Sequence, residues 1–209
     1  MEPLGRLHLI TDTRPGRDAL ATVTAALAAG VPVVQVRVQE TATDREAYAF
    51  AERVRRLCDR HQATCLVNDR LDVALAAGAA GGHVGADDLP AGAARRVLGP
   101  AAVLGVTCRD PESAKAALAA GASYLGVGPA FGTGTKGGLP DPIGPAGVAA
   151  VAAAVPELPV IAIGGVRADR IGPLRTAGAY GVAVVSAVSE AADPAAAIRE
   201  LLRALGGPA

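Results

Sequence analysis

Short, continuous apolar runs recur along the whole chain, at Leu7–Thr11, Val33–Arg37, Thr64–Asn68, Gly82–Gly85, Val103–Thr107, Tyr124–Gly128, Val160–Gly164 and Val182–Ser186. They do not alternate apolar with polar positions, as a strand with one solvated face does. Each therefore reads as a strand covered on both sides, the condition of a parallel sheet. Between the runs the periodicity becomes helical. The clearest helix spans 43–61, where Ala47, Phe50, Ala51, Val54, Leu57 and Cys58 fall on one stripe and Thr43 with Glu46 forms a capping box. The segment Ala-Leu-Ala-Ala-Gly occurs at 26–30, 74–78 and 117–121, with a looser copy at Arg175-Thr176-Ala177-Gly178. An apolar run follows each copy, so the unit reads as a helix end, a terminating glycine and the next strand. Eight such βα units predict an α/β fold, a (β/α)8 TIM barrel made as a single domain from residues 1–209. An open doubly wound sheet uses the same units, and a strand count does not prove closure.

With 209 residues, 51% of them hydrophobic, the chain can bury one sizeable core and needs no second domain. A formal net charge of zero and 2% aromatic residues leave neither a basic footprint nor stacking platforms for nucleic acid. The apolar runs are short, and Met1-Glu2-Pro3-Leu4-Gly5-Arg6 is not a basic segment followed by an apolar one. A cytoplasmic protein with no membrane partner is therefore expected. Cys58, Cys65 and Cys108 lack C-x-x-C spacing and read as small buried hydrophobes. A homo-oligomer is compatible with the sequence and not required by it.

A barrel gathers its chemistry at the C-terminal ends of its strands, and the residue types there are polar. Gln35 and Arg37 share a strand parity, so both face one side. Arg37 offers a bidentate clamp for phosphate and Gln35 an amide for a heterocycle edge. An internal ion pair of Arg37 with Asp69 is the alternative. Asp69 and Asp88 lie beyond consecutive strands, and two carboxylates with open remaining positions suit Mg²⁺. Asp72 and Asp87 read as helix-start or solvated charges. The chain holds eighteen arginines and two lysines, yet places Lys136 in the glycine-rich loop 128–138 beside Thr133 and Thr135. A compact ammonium among glycines and hydroxyls suits a crowded oxyanion, although a solvated loop has the same composition. Gly164-Gly165 and Val185-Ser186 follow the last two strands, where barrels of this kind hold a monophosphate. His8, His61 and His83 read as structural, so a reaction without a strong protein base is expected.

These residues form the marks of a family. Gln35-Val36-Arg37, Val67-Asn68-Asp69-Arg70-Leu71-Asp72, His83-Val84-Gly85-Ala86-Asp87-Asp88-Leu89-Pro90, Gly126-Val127-Gly128-Pro129 with Thr133-Gly134-Thr135-Lys136, and Ala162-Ile163-Gly164-Gly165 together resemble the thiamine-phosphate synthase and TenI family, over almost the whole length. The resemblance implies a transferase that joins a hydroxymethylpyrimidine diphosphate to a thiazole phosphate and releases pyrophosphate. It implies Mg²⁺ on Asp69 and Asp88, and the pyrimidine diphosphate on Gln35, Arg37, Asn68 and Lys136, with Thr107 at a position usually held by Ser. It places Thr133, Thr135, Gly165, Val185 and Ser186 on the thiazole phosphate. Arg37, Thr107 and Lys136 are then the catalytic groups, in a dissociative mechanism in which the diphosphate leaves before the thiazole nitrogen attacks.

The chain departs from the family pattern at several positions. Gln39 stands at the substrate site where a Lys is usual, Thr13 replaces an Arg beside which Arg14 stands, Ala86 replaces a Gln, and Gly134 a Ser or Pro. Arg109 occupies a position commonly held by the His credited with tautomerase chemistry in the TenI relatives. Three readings follow: a synthase, a thiazole phosphate tautomerase disfavoured by Arg109, and a non-catalytic binder of phosphate ligands in which Gln39 marks a lost diphosphate site.

Overall fold

The computed structural model describes residues 4–134, 138 and 140–206. Every apolar run forms a strand: β1 (Leu7–Ile10), β2 (Val33–Val36), β3 (Thr64–Asn68), β4 (Gly81–Val84), β5 (Val103–Cys108), β6 (Tyr124–Val127), β7 (Val160–Ile163) and β8 (Gly181–Val184). Helices follow them in turn: α1 (Ala19–Ala28), α2 (Asp44–Arg60), α3 (Leu71–Ala77), α4 (Ala91–Leu98), α5 (Pro111–Ala119), α6 (Gly144–Ala154), α7 (Ala168–Thr176), the short α8 (Ser186–Ser189) and α9 (Pro194–Ala204). All strand pairs are parallel and the order is β1 to β8. The sheet closes where Leu7, His8 and Leu9 pair with Val182, Ala183 and Val184. Closure makes the fold a (β/α)8 barrel, a single domain, and excludes the open sheet.

Local sequence explains where elements begin and end. At the start of α2 the Thr43 hydroxyl accepts from Glu46 N (3.3 Å) while the Glu46 carboxylate accepts from Thr43 N (2.8 Å), the expected reciprocal cap. Gly78 ends α3 in the left-handed conformation at φ +67, which a residue without a Cβ adopts at no steric cost. Several strands stop one residue short of the apolar run. Thr11, Arg37, Gly128 and Gly164 thus lie just past the ladder, on the rim.

The strand period of two divides side chains between two cores. Outward residues such as Leu9, Val34, Val67, Leu104 and Val182 pack against the helices. Ile10, Val33, Leu66, Tyr124, Ile161 and Ala183 fill the barrel interior. Full burial of each large aliphatic side chain contributes about 1.5–3 kcal/mol. Two interior positions are small so that rings fit beside them. A Cβ on Gly105 would collide with the Tyr124 ring and His83, and one on Gly126 would lie 2.8 Å from His83 Cε1. The rings these glycines admit are polar at their tips, and those tips sit directly beneath the rim.

Candidate active site

The C-terminal rim encloses a cavity of about 280 Å³. The β1 loop fixes its first wall. Thr11 Oγ1 donates to the Arg37 carbonyl (2.7 Å) and accepts from Arg37 N (2.8 Å), while Thr11 N donates to Gln35 O (3.0 Å). Gln35 and Arg37 both line the cavity, and Val36 between them packs in the outer core, as parity requires. Gln39 is exposed in the turn closed by Ala42 N to Gln39 O and is not part of the cavity wall.

After β3, Asn68 and Asp69 line the cavity. Asp69 takes φ +61, a conformation that Asp tolerates better than most residues, and its N–H donates to His83 O (2.8 Å). On the next loop Asp88 Oδ2 accepts from Gly85 N (2.6 Å) and the residue is half-buried, whereas Asp87 is exposed and contributes to the wall. Asp72 keeps its helix-start place, in the first turn of α3, and binds Arg70 through both oxygens (3.1 and 2.7 Å). Among the described residues no group of three or more His, Cys, Asp or Glu side chains is arranged around one metal position.

A chain of hydrogen bonds runs below this wall. Gln35 Nε2 donates to Tyr124 Oη (3.2 Å), Tyr124 Oη meets His83 Nδ1 (3.0 Å), and His83 Nε2 meets Thr107 Oγ1 (2.9 Å). Burial pulls His83 down to about 4 and pushes the Tyr124 phenol up, so both are neutral near pH 7. The directions then follow from donor supply. Tyr124 accepts from Gln35 and donates to Nδ1, the neutral imidazole is assigned the tautomer with its proton on Nε2, and that N–H donates to Thr107. Thr107, which lines the cavity, keeps its own O–H for an acceptor inside it. His83 also lines the cavity, with both ring nitrogens held by Tyr124 and Thr107. His8, whose Nε2 meets Gly5 O at 3.0 Å, and His61, the residue that caps the end of α2, do not line this cavity.

Arg109 follows Thr107 with the same parity and lines the cavity too. Its Nη2 donates to Asp141 O (2.6 Å), and its buried Nε has no acceptor among the described residues. The β6 loop is tied to β7 by Ala130 N to Ile163 O (2.7 Å) and Phe131 N to Gly164 O (3.0 Å), and Thr133 reaches the cavity. Thr135 and Lys136 lie outside the described residues. Gly165, at φ +60, packs against the Gly132 carbonyl, and Arg170 Nη1 donates to its oxygen (2.6 Å). Val185 and Ser186 complete the wall.

Beside them Asp12 accepts from Arg14 Nε (2.8 Å), Arg14 Nη2 (2.7 Å) and Ser189 Oγ (2.7 Å), joining the β1 loop to α8. The Arg14 guanidinium holds the Asp12 carboxyl well below the usual carboxylate range. Sequence reasoning did not find this clamp, nor the Tyr124–His83 link. Strand parity, which aligns Arg109 with Thr107, was the signal available for Arg109.

The comparisons with known proteins agree with this geometry. Residues 7–188 match the thiamine monophosphate synthase family. The thiamine-phosphate synthase of Salinispora tropica is 66% identical over 207 residues, covering 98% of this chain and 99% of that one. The one from Moorella thermoacetica is 44% identical over 201 residues, covering 95% of each. The solved thiamine phosphate pyrophosphorylase of Pyrococcus furiosus superposes with a TM-score of 0.87 at 34% identity, over 96% of this chain and 95% of that one. A closed barrel carrying the family's marks around one rim cavity, matched over nearly its whole length by these proteins, belongs to the thiamine monophosphate synthase family.

Proposed function

We propose that the protein is a transferase that condenses hydroxymethylpyrimidine diphosphate with thiazole phosphate to give thiamine phosphate and pyrophosphate. The observation that carries this reading is the shared cavity. Arg37 and the amide of Gln35 line it from the β2 side and Gly165, Val185 and Ser186 from the loops after β7 and β8, so one space offers groups for a diphosphate-bearing ring and for a monophosphate. Gln35, Arg37, Asn68, Thr107 and Lys136 hold the pyrimidine diphosphate, with Gln39 outside the wall on the same loop. Thr133, Thr135, Gly165, Val185 and Ser186 hold the thiazole phosphate. Small-molecule substrates and a cytoplasmic location belong to the same reading.

The donor set suits Mg²⁺. Asp69 and Asp87 line the cavity and Asp88 stands next to Asp87 on the β4 loop, and carboxylates on consecutive loops suit a cation that keeps waters and takes substrate phosphate oxygens. Asp69 and Asp88 would hold it, and when bound it would offset charge on the diphosphate. In the reaction the bond between the pyrimidine methylene carbon and the diphosphate oxygen breaks, and its electron pair leaves with pyrophosphate. The thiazole nitrogen lone pair then forms the new C–N bond. Neither step moves a proton, in keeping with a neutral His83. Arg37 and the Thr107 O–H act on the leaving group, where charge grows towards the transition state.

The test is product formation from both substrates with MgCl₂. Thiamine phosphate and pyrophosphate should appear in equal amounts, and neither with one substrate alone. Asp69→Asn and Asp88→Asn should each remove most turnover with unchanged circular dichroism, since each alters a rim carboxylate and no core contact. Wild-type rates at low Mg²⁺ in both variants would remove the metal assignment, and conversion of thiazole phosphate alone would make the protein a tautomerase.

A further inference from the structure

Among the described residues, the cavity wall carries two guanidinium groups, those of Arg37 and Arg109. Other arginines near the rim are engaged elsewhere. Arg14 is held by Asp12 and Glu190, and Arg70 by Asp72 and Asp44. Arg170 donates to Gly165 O and lies over the Phe131 ring, 4.7 Å from its centroid. Neither Arg14 nor Arg70 therefore supplies the charge that Gln39 lacks.

Arg109 is differently placed. Its parity on β5 puts it on the same wall as Thr107, while Cys108 between them packs in the outer core. A guanidinium has five N–H donors. Among the described residues one reaches a carbonyl, Asp141 O, and the buried Nε has no acceptor. No carboxylate within 4 Å neutralises the group among the described residues. A half-buried cation with no carboxylate within 4 Å among the described residues, beside a donor hydroxyl on the cavity wall, has donors left for an anion, and the cavity in front of it is where one would sit.

We propose that Arg109 binds the diphosphate of the pyrimidine substrate and the pyrophosphate product, providing on the β5 wall the positive charge that Gln39 does not provide on the β2 loop. The inference rests on the synthase reading for its substrate, though its anion-binding part can be measured without turnover. Arg109 and Thr107 would together contact the leaving group from one side and Arg37 from the other.

Calorimetric titration with inorganic pyrophosphate and MgCl₂ tests it on the wild type, Arg109→Gln and Arg109→Lys, alongside steady-state kinetics in each substrate. The expected result is pyrophosphate binding weakened about tenfold or more in Arg109→Gln and partly recovered in Arg109→Lys. The KM for the pyrimidine diphosphate should rise in parallel, with the KM for thiazole phosphate unchanged. Pyrophosphate affinity within about twofold of wild type in Arg109→Gln would overturn the proposal. So would an equal rise in both KM values with unchanged pyrophosphate affinity, which would make Arg109 a latch on Asp141. A wild type that binds pyrophosphate through Arg109 but forms no thiamine phosphate would sink the synthase reading and leave the anion site standing.

Discussion

Tyr124 shows how a buried polar residue sets the state of a group it does not touch. Its phenol accepts a hydrogen bond from Gln35 and donates one to His83, which leaves the imidazole N–H for Thr107. Tyr124→Phe keeps the ring and removes the relay. His83 Nδ1 then loses its donor and the Gln35 amide its acceptor, at a cost of about 1–3 kcal/mol for groups buried this deeply. The imidazole is also free to place its proton on Nδ1, in which case Thr107 donates to His83 and no longer to the cavity. Urea unfolding should show the loss of stability. Catalytic efficiency with the pyrimidine diphosphate should fall by roughly three- to tenfold, with thiazole phosphate affinity retained. Unchanged unfolding would mean that the hydroxyl is not the donor to His83.

At the scale of elements, the loops after β6 and β7 behave as one unit, because backbone hydrogen bonds from Ala130 and Phe131 cross to Ile163 and Gly164. Gly165 sits in their junction. Gly165→Ala would adopt φ +60 with a Cβ and press it against the Gly132 carbonyl and, at 2.9 Å, the Phe131 Cβ. The two loops must separate, so the KM for thiazole phosphate should rise about tenfold or more and stability fall by about 1–3 kcal/mol. Gly92→Ala in α4 is the control: nothing lies within 4 Å of its new Cβ, and helix propensity should add roughly 0.5–1 kcal/mol. Wild-type kinetics in Gly165→Ala would show that the junction does not shape the site. The strands themselves were legible in sequence, because burial on both faces leaves continuous apolar runs such as Val33–Val36 and Val160–Ile163. Gln35 and Arg37 were legible as a pair because parity alone aligns them. Closure was not, since it depends on Leu7 pairing with Val182 from the far end of the chain. The Gln35–Tyr124–His83–Thr107 chain was not either, because it joins four strands through the barrel interior. The fates of Arg14 and Arg70 turn on bonds to carboxylates two positions away in segments outside the strands, where strand parity does not say which side chains meet.

For the whole molecule, the barrel interior makes stability depend on pH through its histidines. His8 and His83 are buried there, and desolvation pulls them down to about 3 and about 4 from 6.5. In the unfolded chain both take up protons below pH 6.5. The folded barrel stays neutral at these sites until far lower pH, so between about 6.5 and 4 the unfolded state binds more protons and stability falls as pH falls. The slope reaches up to about 1.4 kcal/mol per pH unit for each histidine. Asp12 has the same sense at lower pH. Its carboxyl is held down by Arg14, so its contribution is present above the ordinary carboxylate range and is lost only in stronger acid, outside the histidine window. Urea unfolding at several pH values between 7.5 and 4.5 should therefore show a steady decline beginning near 6.5, well before the carboxylates titrate. His8→Phe should remove about one proton from the slope whatever it does to absolute stability, because the slope counts protons and not contacts. A stability that stays level from pH 7 to 4.5 would mean that protonated imidazoles are accommodated in the barrel, which its apolar lining of Ile10, Leu66 and Ile161 gives no way to do.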